Sequence, residues 1–503
     1  MADKVTIQQL ATGVHGLDAV LGGGLPEFSF NLIAGLPGCG KTTLAHQMMF
    51  AMATPQRRAL YFTVLGEPPM KMLRYQQQFD FFDSAQIGHS VRFANLSDEM
   101  ASGDLDLVMR RIVSELEEHG PQLVFVDSFR SVMQPQDALH ADAATATHTM
   151  QRFVHQLGVL LSTWQATTFL IGEHGDANES CPLFTVADGL IWLSQSVQRN
   201  SMVRKLQILK MRGQATLPGL HTFRIGAGGL TVFAPALVAN RGNDEPVAPV
   251  QGPRLTMGVP ELDAMLGGGL PQGYSLLVAG PSGSGKSILA AAFLAEGARF
   301  GETGVIASFE QRPNQSRNRI VADLVASGQV ALVDSRAPDL SIDEIVMLLI
   351  TEIHRLKATR VVIDSLSGFE LSLAPTFRED FRESLARMVS ALAALGVTTL
   401  MTSELEDRYT DLRFSPYGTA FLTDAIIVQR YVEVDCRLLR VMAVVKVRAS
   451  PHSDTLRQFT IGNEGICIGE PLKGQEGILS GRPTRKPACT DTTTANGVSH
   501  GHT

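Results

Sequence analysis

Two short stretches of the chain have the residue types and spacing of a phosphate cradle. Gly35-Leu36-Pro37-Gly38-Cys39-Gly40-Lys41-Thr42 and Gly280-Pro281-Ser282-Gly283-Ser284-Gly285-Lys286-Ser287 both read G-x-x-x-x-G-K-[ST]. Glycines at these places let backbone N–H groups turn inward around phosphate oxygens, and the helix that follows adds its positive end. Lys41 and Lys286 are expected to reach the β- and γ-phosphates of ATP, and the Thr42 and Ser287 hydroxyls to ligate Mg²⁺. Thr43 and Ile288 extend the nucleotide-contacting run by one residue each. The bland alternative is a chance glycine-rich turn. Each match, however, follows an apolar run (FNLIA, SLLVA) and precedes a helical pattern, which is the context the motif requires.

Further along each half, an apolar run ends in aspartate: LVFVD at Asp127 and VVID at Asp364. Downstream of a P-loop, such an aspartate stands where a second acidic group meets the hydrated Mg²⁺, although a lone run of this kind is often only a strand leading into a cap. Hydrolysis also needs a carboxylate to orient or deprotonate the nucleophile. The candidates are Glu67 in ALYFTVLGEPP and Glu310 in GVIASFEQRP, against the plain alternative of solvated loop carboxylates. Lys210 with Arg212, and Lys446 with Arg448, alternate on strand-like runs, which puts both charges of a pair on one face. From there they could reach a neighbouring subunit's γ-phosphate, or merely decorate a strand edge. Cys39 sits inside the first cradle, where a small side chain is all that is required.

These blocks occur twice in the same order. GLDAVLGGGLP at Gly16 recurs as ELDAMLGGGLP at Glu261, with Leu17 and Leu262 set 245 residues apart (262 − 17). The two P-loops keep that spacing (280 − 35), and the K-x-R-[GA] pairs are 236 apart (446 − 210). The repeat is too long for a solenoid unit of about 20–50 residues, so the chain holds two copies of one domain. Short apolar strands alternate with helical periodicity, as in Leu105, Val108, Ile112 and Leu116 before a stop at Gly120-Pro121. The expected fold is α/β: two tandem P-loop domains, each a mostly parallel doubly wound sheet flanked by helices, with ligand at the strands' C-terminal ends. The domains are expected at 1–233 and 254–473, joined by a Pro- and charge-rich linker at 234–253. Residues 474–503, rich in Thr, Gly and Ser, have the composition of a disordered tail.

Bulk properties fit this reading. The 503 residues are 44% hydrophobic and 18% charged, enough to bury real cores. A net charge of −7 offers no basic field for nucleic acid or anionic membrane. No apolar run approaches the roughly 18 residues of a spanning helix, and the N-terminus lacks a signal-like apolar core. The five cysteines are scattered and form no C-x-x-C pair, as expected of reduced thiols in a cytoplasmic protein.

Taken together, the blocks resemble the KaiC family of RecA-like ATPases from about Gly13 to Arg485. The resemblance rests on the duplicated GGGLP motif, P-loops, Asp-Ser strand ends and K-x-R-[GA] pairs, and on a C-terminal ILSGRPTRK. It implies a two-tier homohexameric ring, the tiers called CI and CII, with ATP bound between subunits and signalling to protein partners of the KaiB or another kind. It further implies autokinase chemistry on Ser/Thr of the second tier. Glu310 matches the first of the family's paired catalytic glutamates there, and Gln311 stands at the second. In the first tier the pair falls on Leu65-Gly66, with Glu67 one place beyond. The family's adjacent Ser-Thr phosphoacceptors, counted back from Thr423–Glu433, fall on Ala420 and Phe421, neither of which carries a hydroxyl. Ser415 and Thr419 are the hydroxyls nearby. Two further readings are a RecA-like DNA motor and an assembly module that holds ATP with little turnover.

Overall fold

The computed structural model describes residues 7–64, 69–102, 104–128, 152–153, 155–161, 163–174, 182–198, 201–235, 253–309, 319–333, 339–378, 381–405, 421–434, 436–463, 465–471, 475–476 and 484–485. The chain divides into two compact units. The first is Met1–Asp244 with Pro338–Met347 and Ala374–Phe377, and the second is the remainder. Each unit carries one nine-stranded sheet.

In the first sheet the strand order is Val91–Asn95, Ala59–Thr63, Leu123–Asp127, Thr167–Glu173, Phe30–Gly35, Gly189–Gln198, Ser201–Met211, His221–Gly226 and Gly229–Phe233. The first six are parallel, and the last three extend the sheet as an antiparallel meander. The second sheet repeats this: Val330–Val333, Gly304–Ser308, Arg360–Asp364, Thr398–Glu404, Ser275–Gly280, Ala425–Val434, Arg437–Val447, Arg457–Gly462 and Gly465–Pro471. The mostly parallel, helix-flanked sheet expected from the sequence is therefore present in duplicate.

Both faces of the parallel part are covered, which explains its near-continuous apolar strands. On one face Ile33, Phe125 and Ile171 pack with Leu44, Ala45, Met48 and Met49 of the helix Lys41–Met52. On the other, Leu32, Val124, Val126 and Leu170 pack with Val108, Ile112 and Leu116 of the helix Leu105–His119. That helix starts at Asp104, whose carboxylate accepts from the N–H groups of Asp106 and Leu107, a cap worth about 1 kcal/mol. It ends at Gly120 in the left-handed conformation (φ 52°), as its sequence predicts.

The GGGLP motif forms structure in both copies. Leu25–Pro26 pairs antiparallel with Gln9–Leu10, and Leu270–Pro271 pairs with Arg254–Leu255. The aspartate of the same motif is a local clamp: Asp18 accepts from Thr12 N–H at 2.9 Å, and Asp263 from Met257 N–H at 2.7 Å. Of the linker at 234–253, only 234, 235 and 253 are among the described residues. Within the expected tail, Gln475–Glu476 pairs with Thr484–Arg485 in a two-residue antiparallel ladder; the rest lies outside the described residues.

One buried group in the P-loop helix gives the first unit a pH dependence that the second lacks. His46 is fully buried with its ring 4.6 Å from that of Tyr61. Burial lowers its pKa to about 4, against a smaller opposing effect of Gln76. The unfolded chain takes up this proton near pH 6.5, so His46's contribution is fully present above pH 6.5 and is lost as pH falls toward 4, up to roughly 3 kcal/mol. The matched position, 245 residues on (46 + 245), is Ala291. Lowering the pH from 7.5 to 5 is therefore expected to depress the first unit's unfolding midpoint, and His46→Leu to flatten that dependence. An unchanged slope in the variant would exonerate His46.

Candidate nucleotide sites

Each P-loop joins the C-terminal end of a buried strand to a helix whose first residue is the motif lysine, Lys41 or Lys286. The residue before it, Gly40 (φ 103°) or Gly285 (φ 102°), is left-handed and offers no side-chain cap. The first N–H groups of the helix therefore remain available to an anion. A Cβ at either glycine would come within 2.7 Å of an isoleucine methyl, Ile225 in the first unit and Ile461 in the second. These isoleucines belong to the antiparallel extension, which thus packs directly against the cradle.

The lysines behave alike. Lys41 Nζ donates to the carbonyls of Gly35 (3.0 Å) and Leu36 (2.8 Å), and Lys286 Nζ to those of Gly280 (2.8 Å) and Pro281 (2.7 Å). Cys39 and Ser284 occupy the same place and are buried, as are Gly35 and Gly280, whereas Pro37, Gly38, Ser282 and Gly283 are exposed on the loop's outer side. Burial pushes the Cys39 thiol up, opposed by the nearby Lys41 charge. This keeps it protonated and unreactive, in line with a small packing residue.

At the first site two hydroxyls meet one carboxylate oxygen. Thr42 Oγ1 donates to Asp127 Oδ2 at 2.8 Å, and the Tyr61 hydroxyl donates to the same oxygen at 2.7 Å. Burial raises the Asp127 pKa, opposed by these two hydrogen bonds and by the Lys41 charge, while Glu173 adds to the rise. A cleft of about 360 Å³ opens here, lined by Lys41, Thr42, Thr43, Asp127 and Glu173 among others. A hydroxyl and a carboxylate sharing one hydrogen bond at the foot of an open cleft are hard oxygen donors of the kind Mg²⁺ takes.

In the second unit Asp364 is buried, and its carboxylate accepts from the Thr402 hydroxyl. The difference follows from two positions. Tyr61 is matched by Ile306 on the strand to one side of the aspartate, and Thr402 is matched by Ile171 on the strand to the other. Each aspartate therefore has one added hydroxyl, delivered from opposite flanks. Ser287 and Ile288 begin the second helix half-buried. The peptide bond after the aspartate is cis in both units.

Lys210, Arg212, Lys446 and Arg448 lie away from their own cradles. Met211 is paired with Gly189, which is paired with Asn31, four residues before Gly35 on the P-loop strand. Val447, Ala425 and Leu276 make the same ladder in the second unit. At about 3.3 Å per residue, these cations stand roughly 13 Å below their own phosphate loop. Arg212 pairs with Asp188 at 3.0 Å and Arg448 with Asp424 at 3.3 Å. Lys210 donates to the carbonyls of Phe184 and Thr185, and Lys446 to that of Thr423. Both lysines have lowered pKa values, through burial first and the adjacent arginine second.

Glu67, Glu310, Ser415 and Thr419 lie outside the described residues, as does Ala420; Phe421 is described and exposed. Sequence reasoning missed Tyr61, Thr402, Ile225, Ile461 and the strand-end pair Glu173 and Glu404. For that pair a signal existed, because both end a matched run, TTFLIGE and TTLMTSE.

A family model described as "ATPase: KaiC" matches residues 10–236 and 255–473. The chain belongs to the KaiC ATPase family. Membership in this family makes it an ATPase, a nucleotide-binding enzyme with one family domain in each half. It is similar to "Circadian clock oscillator protein KaiC" of Picosynechococcus sp., with 26% identity over 95% of this chain and 93% of the relative. The KaiC of Rippkaea orientalis is 27% identical, and "KaiC 1" of Synechocystis sp. 26%, each over 95% of this chain and 92% of the relative. Among the described residues no helix is long and apolar enough to cross a membrane.

Tyr61→Phe is expected to raise the Mg²⁺ concentration needed for half-maximal nucleotide binding at the first site by about 3- to 10-fold, the scale of one ordinary net hydrogen bond. A Mg²⁺ titration in a Lys286→Ala background reads this, and an unchanged midpoint would remove Tyr61 from the site. With an aromatic-disulfide thiol reagent, native chain should react at exposed Cys436 and Cys467 but leave Cys39 unmodified until denaturation.

Proposed function

We propose that both units bind Mg²⁺-ATP, that hydrolysis there drives conformational signalling to protein partners, and that the working assembly is a cytoplasmic homohexameric ring with nucleotide at the subunit interfaces. The observation that carries this reading is the cradle built twice. In each unit a motif lysine lies across the loop at the positive end of a helix, with an aspartate at the end of a nearby strand, half-buried in the first unit and buried in the second. In this reading Thr42 with Asp127, and Ser287 with Asp364, hold the metal ion, which supplies charge neutralisation at the β- and γ-phosphates. Lys41 and Lys286 hold the same phosphates as point charges.

The Lys-x-Arg pairs support the ring. Each pair is set about one P-loop strand's length from its own cradle, so a phosphate it served would belong to another copy of the chain. Glu67 and Glu310 enter as candidates for activating the nucleophile. Autophosphorylation at Ser415 or Thr419 is the finer part of the proposal. A dual-site cycle is not included, because Ala420 and Phe421 stand at the two matched positions. The net charge of −7 and the absence of a basic arm favour protein partners, of the KaiB or another kind, over nucleic acid.

Turnover of Lys41→Ala and Lys286→Ala is the direct test. Each variant is expected to lose its own unit's share, and full turnover in both would sink the enzyme reading for these sites. Chain mass in solution should rise to a hexamer with ATP and Mg²⁺, and a monomer under those conditions would contradict the interfacial cations. Intact mass after incubation with Mg²⁺-ATP should show a phosphoryl adduct that Ser415→Ala with Thr419→Ala removes. An unmodified native chain would end the autokinase part.

A further inference from the structure

We propose that Glu173 is the carboxylate that orients the attacking water at the first site. The assignment rests on the reading that this site hydrolyses ATP, and it gives the nucleophile-activating role there to Glu173 in place of the candidate Glu67. Where the family's paired glutamates fall, this chain has Leu65 and Gly66, neither of which carries a carboxylate.

The register of the sheet supplies one from another strand. Thr167–Glu173 lies between the P-loop strand and the strand that ends in Asp127, paired in parallel with both. Its last residue, Glu173, is directly opposite Gly35, the first residue of the cradle. Glu173 lines the same cleft as Lys41, Thr42 and Asp127, and its charge is felt at Asp127. Asp127 and Glu173 are the carboxylates among the described lining residues. The second unit places a carboxylate at the same point. Glu404 is opposite Gly280, and both it and Asp364 act electrostatically on Lys286.

A negative side chain facing a triphosphate repels substrate unless it binds something between them. Water fills that role by donating a hydrogen bond to the carboxylate and presenting its oxygen to phosphorus. In the step that follows, the water oxygen bonds to the γ-phosphorus. The bond from that phosphorus to the β,γ-bridging oxygen breaks, its electron pair leaving on ADP. The water's proton passes by way of Glu173 to solvent, giving ADP, inorganic phosphate and a proton.

This arrangement predicts a split that a structural role would not produce. In full-length chain carrying Lys286→Ala, Glu173→Gln should lower turnover about 100-fold or more, the usual scale for such a group. Binding of a fluorescent ATP analogue at the first site should be unchanged or tighter, because a repelling charge is gone. A loss of that size in Glu67→Gln, with Glu173→Gln at the parent rate, would instead give the water to Glu67. Glu173→Asp, which retains the charge but draws it back by one methylene, should bind nucleotide normally and turn over at an intermediate rate, guarding against a folding defect in the amide variant. The proposal is overturned if Glu173→Gln hydrolyses at the parent rate, or loses turnover only in step with weaker binding. A parent that binds ATP at the first site without hydrolysing it would instead defeat the hydrolysis reading itself, before any change at Glu173.

Discussion

Each site depends on the register of three parallel strands. In the first unit Gly35 is opposite Glu173, and Ile171 of that same strand is opposite Asp127; in the second, Gly280 is opposite Glu404. Backbone pairing therefore decides which side chains meet at the cradle, and a slip of one residue would turn every one of them to the other face. What prevents the slip is burial on both faces. Helix Lys41–Met52 covers one side of the first sheet and Leu105–His119 the other, so either set of strand side chains would lose its core on shifting.

The duplication preserves this frame and varies what hangs from it. The left-handed glycines before the motif lysine, the lysine contacts and the isoleucine packed on the loop agree closely between units. The hydroxyl that holds the aspartate does not. Tyr61 supplies it from one flank in the first unit and Thr402 from the other in the second. Tyr61 also brings a buried histidine with it, His46, whose counterpart is Ala291. The two halves thus share a phosphate cradle but differ in how the proposed metal carboxylate is held and in how the unit responds to acid.

Much of this was legible in the residues. Local signals sufficed for the P-loops, for the strands ending at Asp127 and Asp364, and for a helix from Leu105 to the Gly120 stop, because glycine spacing, apolar runs and helical period are short-range features. The roles of Tyr61 and Thr402 were not legible, since each reaches the site through pairing with strands tens to more than a hundred residues away, nor was that of Ile225, which meets Gly40 only in the folded sheet. The Lys-x-Arg pairs fall between. Alternation indicated a shared face, but only the ladder from Met211 through Gly189 to Asn31 shows that they stand at the far end of the P-loop strand. The aspartate of the GGGLP motif gave no hint of its structural task, clamping the segment that precedes it.

The central claim is that each chain carries two separable ATP-binding cradles. Equilibrium dialysis with a hydrolysis-resistant ATP analogue and Mg²⁺ counts them directly. The account predicts two nucleotides per chain for the native protein and one for either motif-lysine variant. A native stoichiometry of one would contradict it.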